Sequence, residues 1–183
     1  MKTLLALAAA LAAATAFAQA PKKIVPAKSA IRFVTKQMNV PVEGSFKRFD
    51  ATVAFDPAKP EATKAEFEVD LASIDLGNAE GETEAKRKPW LNVEAFPKAK
   101  FTAASVKAVG PNRYEATGPL TIKGASQTVV APFTLATAGA ERVVEGQFTV
   151  KRLAYKVGEG AWSDTDTVAD EVLVRFKFTL PTQ

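Results

Sequence analysis

The sequence of 183 residues contains no histidine and no cysteine. Without them the chain cannot build a Ser-His-Asp triad, a Cys-His nucleophile, a metal site of imidazole and thiolate, or a disulfide. Any chemistry would have to run on carboxylates, lysine, tyrosine or serine. We therefore expect a protein that is not an enzyme, with no catalytic residue, no metal site and no cofactor of its own.

The chain also lacks a strong excess of positive or negative charges. The chain has 24 lysines and arginines against 20 aspartates and glutamates, for a formal net charge of +4. Nucleic-acid-binding domains usually show a dense basic patch, and this small, scattered excess does not provide one. The composition instead favours a weak attraction to anionic lipid at most.

The sequence has one long apolar run, at its beginning. Lys2 precedes the uncharged run Leu4 to Ala14, and Ala16-Phe17-Ala18 then places small residues where a signal peptidase cuts. The run is shorter than the roughly 20 residues that a membrane-spanning helix needs. We predict a cleaved signal peptide at residues 1–18 and one domain at residues 19–183, exported to a bacterial periplasm. No membrane span is expected in the mature chain.

Apolar residues in the remainder recur with period two, which is typical of strands with one buried face. Examples are the segments 49–55, 65–71, 144–150 and 172–180. Short turns between neighbours favour antiparallel pairing. Residues 78–88, with acidic residues first and basic residues last, predict one short helix that Pro89 ends. Roughly eight strands can close into a barrel or stack as two sheets.

Phenylalanine is abundant, and most of the 12 copies lie on the apolar phase of a proposed strand. Two interpretations stay open at this point. In the first, large and small side chains interdigitate in a filled core. In the second, the small side chains leave a cavity for an apolar ligand. Periodicity does not separate the two.

Several motifs resemble one known family. They are Gly44-Ser45-Phe46, Leu71-Ala72-Ser73-Ile74-Asp75, Phe96-Pro97-Lys98-Ala99-Lys100-Phe101 and Gly118-Pro119-Leu120-Thr121-Ile122-Lys123-Gly124. In this order they are similar to the YceI-like family of polyisoprenoid-binding, lipocalin-like periplasmic proteins, over about residues 31–180. The resemblance implies an all-β fold, an eight-stranded antiparallel lipocalin-like barrel with one short helix. It also implies an enclosed isoprenoid-type lipid such as a polyprenyl phosphate or a quinone.

The candidate ligand-binding residues fall into two groups. An apolar wall for the tail would consist of Phe46, Phe67, Phe101, Phe133, Phe148 and Phe176. Trp90, in a loop, would line the mouth of the barrel, and Arg32 and Lys36 would meet a head group through charge-assisted hydrogen bonds. The competing interpretation is that the phenylalanines are ordinary core and that the two basic residues are solvated surface charges.

The sequence thus predicts a periplasmic binding or carrier protein for an amphiphilic isoprenoid-type lipid, with only transient membrane contact. One alternative is an accessory protein that presents a quinone to a membrane electron-transfer partner. Another is a structural β-protein with a filled core. An exposed edge strand would also permit a homodimer.

Overall fold

The computed structural model describes residues 20–182, which form a curled antiparallel sheet and one α-helix. The predicted signal peptide at residues 1–18 lies outside the described residues. The helix α1 spans Ala79–Lys86. The strands are β1 (Lys22–Lys23), β2 (Ala30–Gln37), β3 (Val40–Phe46), β4 (Phe49–Ala54), β5 (Lys64–Asp70), β6 (Ile74–Asp75), β7 (Lys98–Thr102), β8 (Ser105–Gly110), β9 (Arg113–Ile122), β10 (Ala125–Ala138), β11 (Glu141–Lys151) and β12 (Glu171–Pro181).

The order of the strands shows why the sheet curls. It runs β1-β4-β5-β7-β9-β10-β11-β12-β2-β3-β6, with β8 paired to β9. β3 and β4 lie near opposite ends of this path, although only Lys47 and Arg48 separate them in the chain. The two ends of the sheet must therefore lie close together. Lys47 N donates to Ser73 O at 3.1 Å and Asp70 N donates to Arg48 O at 3.0 Å, so the two bends hydrogen-bond to each other.

The predicted antiparallel barrel with one short helix is confirmed, and the number of strands differs for a simple reason. Three long strands are each interrupted by a bend, which divides them into β3 and β4, β5 and β6, and β7 and β8. When each divided pair is counted once, the described chain has eight long strands and the two-residue β1. The first of these interruptions lies between Phe46 and Phe49.

Two β-hairpins of the barrel each have a tight two-residue turn. Met38 and Asn39 join β2 to β3, and Lys123 and Gly124 join β9 to β10, all with positive φ between 48° and 75°. A two-residue turn with both φ values positive matches the right-handed twist of the flanking strands. Gly124 adopts this conformation without steric cost, which explains the glycine that ends the fourth motif.

Helix α1 begins where the sequence predicts it. The Asn78 side chain accepts a hydrogen bond from Gly81 N at 2.7 Å, which caps the first turn. Glu80 and Glu82 lie in the first turn and Lys86 in the last, in the order that suits the helix dipole. No helix among residues 20–182 is long and apolar enough to cross a membrane.

Candidate functional site

The interior of the barrel contains an apolar cavity of about 210 Å³. All of its described lining residues except Thr63 and Lys100 are apolar. The structure brings all six phenylalanines of the predicted tail wall to this cavity, namely Phe46, Phe67, Phe101, Phe133, Phe148 and Phe176. Their contact with a ligand stays a prediction.

Ring-to-ring contacts connect four of these six phenylalanines, Phe67, Phe101, Phe148 and Phe176, through Phe178. Phe178 is the central member, with its ring centroid 4.7 Å from that of Phe67 and 5.4 Å from that of Phe176. Phe55 also lines the cavity and packs edge-on against Tyr114 at 5.2 Å. The candidate set omitted Phe55 and Phe178, although both lie on the apolar phase of their strands. The same alternation that selected the other six would have found them.

A second cavity, of about 330 Å³, adjoins the first and has a more polar lining. We call it the polar cavity. Its lining residues that carry a polar side-chain group are Thr35, Gln37, Glu84, Trp90, Arg152, Tyr155 and Trp162. It lies between the β2–β3 hairpin, helix α1 and the segment 152–168, and it reaches the surface at the exposed Gln37.

The two cavities meet at a shared ring of five apolar residues, which we call the waist. Its members are Ile31, Phe46, Leu91, Ile122 and Val174, and each of them lines both cavities. The interior therefore holds two adjacent cavities, one apolar and one with polar groups. An amphiphilic molecule has the same division between tail and head.

Arg152 organises one wall of the polar cavity. Its side chain is almost fully buried, and its guanidinium donates five hydrogen bonds of 2.7–3.1 Å, to the carbonyl oxygens of Val157, Gly158, Trp162, Val168 and Ala169. A guanidinium has five N–H donors, so all of them are used. Burial lowers the pKa of Arg152 from its ordinary value. No carboxylate in the described chain forms an ion pair with it.

Arg152 also positions Trp90. Its guanidinium carbon lies 5.6 Å from the centroid of the Trp90 ring, within cation–π distance. The Trp90 ring lies 5.3 Å from that of Trp162. Trp90, predicted to line the mouth of the barrel, lines the polar cavity in the structure, and its contact with a ligand stays a prediction. Nothing in the sequence pattern singled out Arg152, because it follows a strand in a segment without periodicity.

Lys123 fixes the segment that carries Trp90. This buried lysine donates to Glu159 Oε2 at 2.7 Å, to Lys156 O at 2.7 Å and to Pro89 O at 3.3 Å. The hydrogen bond from Lys123 lowers the pKa of Glu159. The Lys123 ammonium is thus engaged in structural contacts beside the polar cavity.

Two polar groups of the polar cavity lack a partner. Within residues 20–182, the buried Trp90 Nε1 and Tyr155 hydroxyl have no hydrogen-bonding partner, and in the apolar cavity the same holds for Thr63 Oγ1. Tyr155 is 2% exposed, and burial raises the pKa of its hydroxyl, which stays protonated near neutral pH. Trp90 and Tyr155 therefore each hold an unused N–H or O–H.

Arg32 and Lys36 lie elsewhere. Both are exposed, and they alternate along β2 with Ile31, Phe33 and Thr35, which line the cavities. Successive side chains of a strand point to opposite faces, so the two basic side chains project from the outer face. Neither lines either of the two cavities described above. The lining of these cavities therefore gives no support to the predicted contact of Arg32 and Lys36 with a head group at the mouth, which stays a prediction.

Comparisons with known proteins agree with this fold. The sequence profile of the YceI-like domain matches residues 23–180. A UPF0312 protein of Pseudomonas savastanoi pv. phaseolicola is 38% identical over 89 residues, which are 49% of this chain and 46% of that protein. The chain thus spans about half the length of the curated relatives it matches.

Solved structures extend the likeness to the whole barrel. BcnA of Burkholderia cenocepacia is 43% identical with a TM-score of 0.83, over 85% of this chain and 98% of that one. The YceI protein of Campylobacter jejuni is 21% identical with a TM-score of 0.71, over 78% and 85%. A polyisoprenoid binding domain from Saccharophagus degradans, implicated in plant cell wall breakdown, is 13% identical with a TM-score of 0.70, over 90% and 99%. The last two show a shared fold.

Proposed function

Because the chain belongs to the YceI-like family, as its four motifs indicated, we propose that it binds an amphiphilic isoprenoid-type lipid inside the barrel and carries it through the periplasm. The apolar cavity is the observation that carries this proposal. Its wall is almost entirely hydrocarbon, and at the waist it adjoins a second cavity with polar groups.

The physical basis of tail binding is burial alone. Removing apolar area from water contributes roughly 25 cal/mol per Å², so a prenyl tail needs no polar contact to be held. Small-molecule pockets usually enclose roughly 300–1,000 Å³. An interior with cavities of about 210 and 330 Å³ argues against the alternative of a filled core. Two adjoining cavities suit a chain better than a compact ligand.

Other observations support the carrier role. The predicted signal peptide supports a place in the periplasm, and the domain from Saccharophagus degradans is described as polyisoprenoid-binding. Met38 and Val40, in the hairpin next to Gln37, are 73% and 62% exposed. Apolar side chains beside the polar cavity are suited to brief contact with a lipid surface, where a ligand could enter or leave.

Native mass spectrometry tests the proposal. The protein is expressed from its full sequence, purified without detergent, and extracted with solvent in parallel. We expect a mass excess that extracts as a prenyl lipid. A protein that carries no lipid and takes up neither menaquinone-4 nor geranylgeranyl phosphate would refute the proposal.

A matched pair of variants locates the ligand. Ala116 lines the apolar cavity, whereas Ala108 is exposed on the neighbouring strand β8. We expect Ala116→Phe to fill space that the tail needs and to reduce lipid occupancy about tenfold or more. Ala108→Phe should keep wild-type occupancy. Equal occupancy in the two variants would place the lipid outside the apolar cavity.

A further inference from the structure

The outer face of the sheet carries two arginines that directly oppose each other. Arg32 of β2 and Arg175 of β12 are cross-strand partners, and both are exposed. Their strand neighbours Ile31, Val174 and Phe176 line the cavities, so the two arginine side chains project away from the interior. Like charges at directly opposed positions, with Cβ atoms about 4.5–5.5 Å apart, destabilise a sheet. Without a counter-ion, this pair is therefore a source of repulsion.

A second pair of opposed like charges shows how the sheet neutralises such repulsion elsewhere. Asp50 of β4 and Glu68 of β5 are cross-strand partners. Lys23 pairs with Asp50 at 3.2 Å. Glu68 pairs with Lys98 at 2.5 Å and with Lys100 at 2.6 Å. By contrast, no carboxylate within residues 20–182 forms an ion pair with either arginine of the opposed pair.

The carboxylates nearest to the two arginines do not compensate them. Glu145 pairs with Lys177 at 3.0 Å, and Asp75 pairs with Lys47 at 2.9 Å. Glu43 is exposed on β3 at a position diagonal to Arg32 and forms no ion pair within residues 20–182. The positive charge of the arginine pair is therefore left for an anion from outside the chain.

Polar side chains extend the arginine pair on both sides. Gln147 of β11 is the cross-strand partner of Arg175, and Ser45 of β3 is that of Arg32. We call these four residues the arginine row. A side-chain amide and a hydroxyl can both donate to an oxyanion. Each guanidinium presents a planar fork that binds a phosphate group through two hydrogen bonds.

We infer that the arginine row binds a phosphomonoester on the outer face of the barrel. Such a group carries a charge of about −1.5 to −2 at pH 7, which matches two guanidinium groups, whereas a carboxylate or a phosphodiester carries only one charge. The bound dianion replaces the repulsion between the arginines by attraction to both. A soluble phosphate ester and a lipid with a phosphomonoester head group share this chemistry. The site is separate from both cavities and does not depend on a ligand inside the barrel.

The experiment offers one head group in two forms. The soluble probe is glycerol 3-phosphate, and the lipid probe is phosphatidic acid in vesicles of phosphatidylcholine. Nitrogen-15-labelled protein, expressed from the full sequence, is titrated at pH 7 and low ionic strength, and magnetic resonance follows its amide and arginine Nε–H groups. We expect glycerol 3-phosphate to bind with a dissociation constant of about 1 mM or tighter. Dimethyl phosphate, a phosphodiester, should bind about tenfold more weakly.

Matched variants locate the site. Arg32→Gln and Arg175→Gln each remove one fork, and each should weaken binding at least about tenfold. Lys36→Gln removes the same charge from the same face of β2 and should change the affinity less than about twofold, because solvent and salt screen the more distant charge. Glu43→Gln removes a diagonal negative charge and should tighten binding about two- to threefold.

The outcomes separate the source of the phosphate from the existence of the site. Binding of glycerol 3-phosphate that both arginine variants lose supports a site for soluble esters. Binding of phosphatidic acid vesicles over phosphatidylglycerol vesicles, lost in the same variants, supports a site for a lipid head group. A wild type that binds neither probe, or equal losses in Lys36→Gln and the arginine variants, refutes the site. Equal binding of phosphomonoester and phosphodiester refutes its selectivity. The proposed function is tested separately, since Arg32→Gln and Arg175→Gln should keep the wild-type amount of lipid in the barrel.

Discussion

At the scale of single residues, Glu68 is the clearest electrostatic feature outside the cavities. On the outer face of β5 its carboxylate accepts hydrogen bonds from Lys98 Nζ at 2.5 Å and pairs with Lys100 Nζ at 2.6 Å. These two ammonium groups lower the pKa of Glu68 from 4.5 to about 2. A depressed pKa means that the folded state favours the charged form, so this stabilisation is present above pH 4.5 and is lost as the pH falls toward 2.

We expect Glu68→Gln to reduce the free energy of unfolding at pH 7 by no more than about 1 kcal/mol, since the pair is solvent-exposed and screened. The difference from wild type should vanish between pH 4.5 and pH 2. Urea unfolding across this range measures it. Glu66→Gln is the control, because Glu66 is exposed on the same face and forms no ion pair within residues 20–182. A difference that persists at pH 2 would contradict the assignment.

Arg152 gives a second prediction at this scale. Lysine at position 152 keeps the charge but has three donors, so it leaves at least two of the five carbonyls unpaired. Each buried unpaired group costs about 1–3 kcal/mol. We expect Arg152→Lys to lower the free energy of unfolding by about 2–5 kcal/mol in urea titrations. Lys151→Arg, at the exposed neighbouring position, should change it by less than about 0.5 kcal/mol. Near-wild-type stability of Arg152→Lys would show that the carbonyls find other partners.

At the scale of elements, the motif glycines have a steric explanation. A Cβ on Gly118 of β9 would lie 2.0 Å from Thr102 O, at the interruption between β7 and β8. A Cβ on Gly44 of β3 would lie 2.3 Å from the ring of Phe33. The first contact is with backbone, which cannot move aside as a side chain can. The bent strand can cross β9 at this distance only because position 118 has no side chain.

Gly118→Ala should therefore destabilise the barrel by about 1–3 kcal/mol, the usual cost of overpacking. Thermal and urea unfolding measure the change. Gly110→Ala is the matched control, since its Cβ would meet only the Arg113 side chain at 3.8 Å or more. We expect the control to stay within about 0.5 kcal/mol of wild type. Equal stability of the two alanine variants would refute the steric account.

The elements also show how far the sequence could be interpreted. Alternation revealed the long strands because one face of each is buried, and the order of acidic and basic residues before Pro89 revealed α1. Strands β1 and β6, of two residues each, are too short to show a period. The segment 152–170 has no regular pattern, since its order depends on the Arg152 hydrogen bonds.

The sequence predicted those parts of the site that follow from the alternation of side chains between the two faces of a strand. Six phenylalanines with the same alternation line one cavity, as the sequence indicated. Arg32 and Lys36 were selected for charge, although their own alternation placed them on the outer face. The sequence could not indicate Tyr155 and Arg152 as site residues, because their contacts depend on which backbone carbonyls and cavity walls the folded chain brings near them.

At the scale of the whole molecule, the waist joins parts of the chain that are distant in sequence. Ile31 and Val174 lie on β2 and β12, which are neighbours in the sheet, and Leu91 comes from the segment after the helix. No local pattern marks such a ring. If the head of a ligand lies in the polar cavity and its tail fills the apolar cavity, the tail must pass through the waist.

A larger side chain at the waist should therefore weaken the binding of ligands with long tails. In wild type we expect affinity for menaquinones to rise as the tail grows from prenyl to tetraprenyl, since each added unit buries more apolar area at roughly 25 cal/mol per Å². In Val174→Phe the dependence of affinity on tail length should flatten, with a loss of about 10- to 100-fold for the longest tail and little change for the shortest.

The control is Val130→Phe, which places the same substitution at a valine that is 50% exposed and should preserve the wild-type dependence on tail length. Isothermal titration of the series measures both, with circular dichroism to verify the fold. If Val174→Phe keeps the full dependence on length, the tail does not cross the waist, and the two cavities would have to bind their ligands separately.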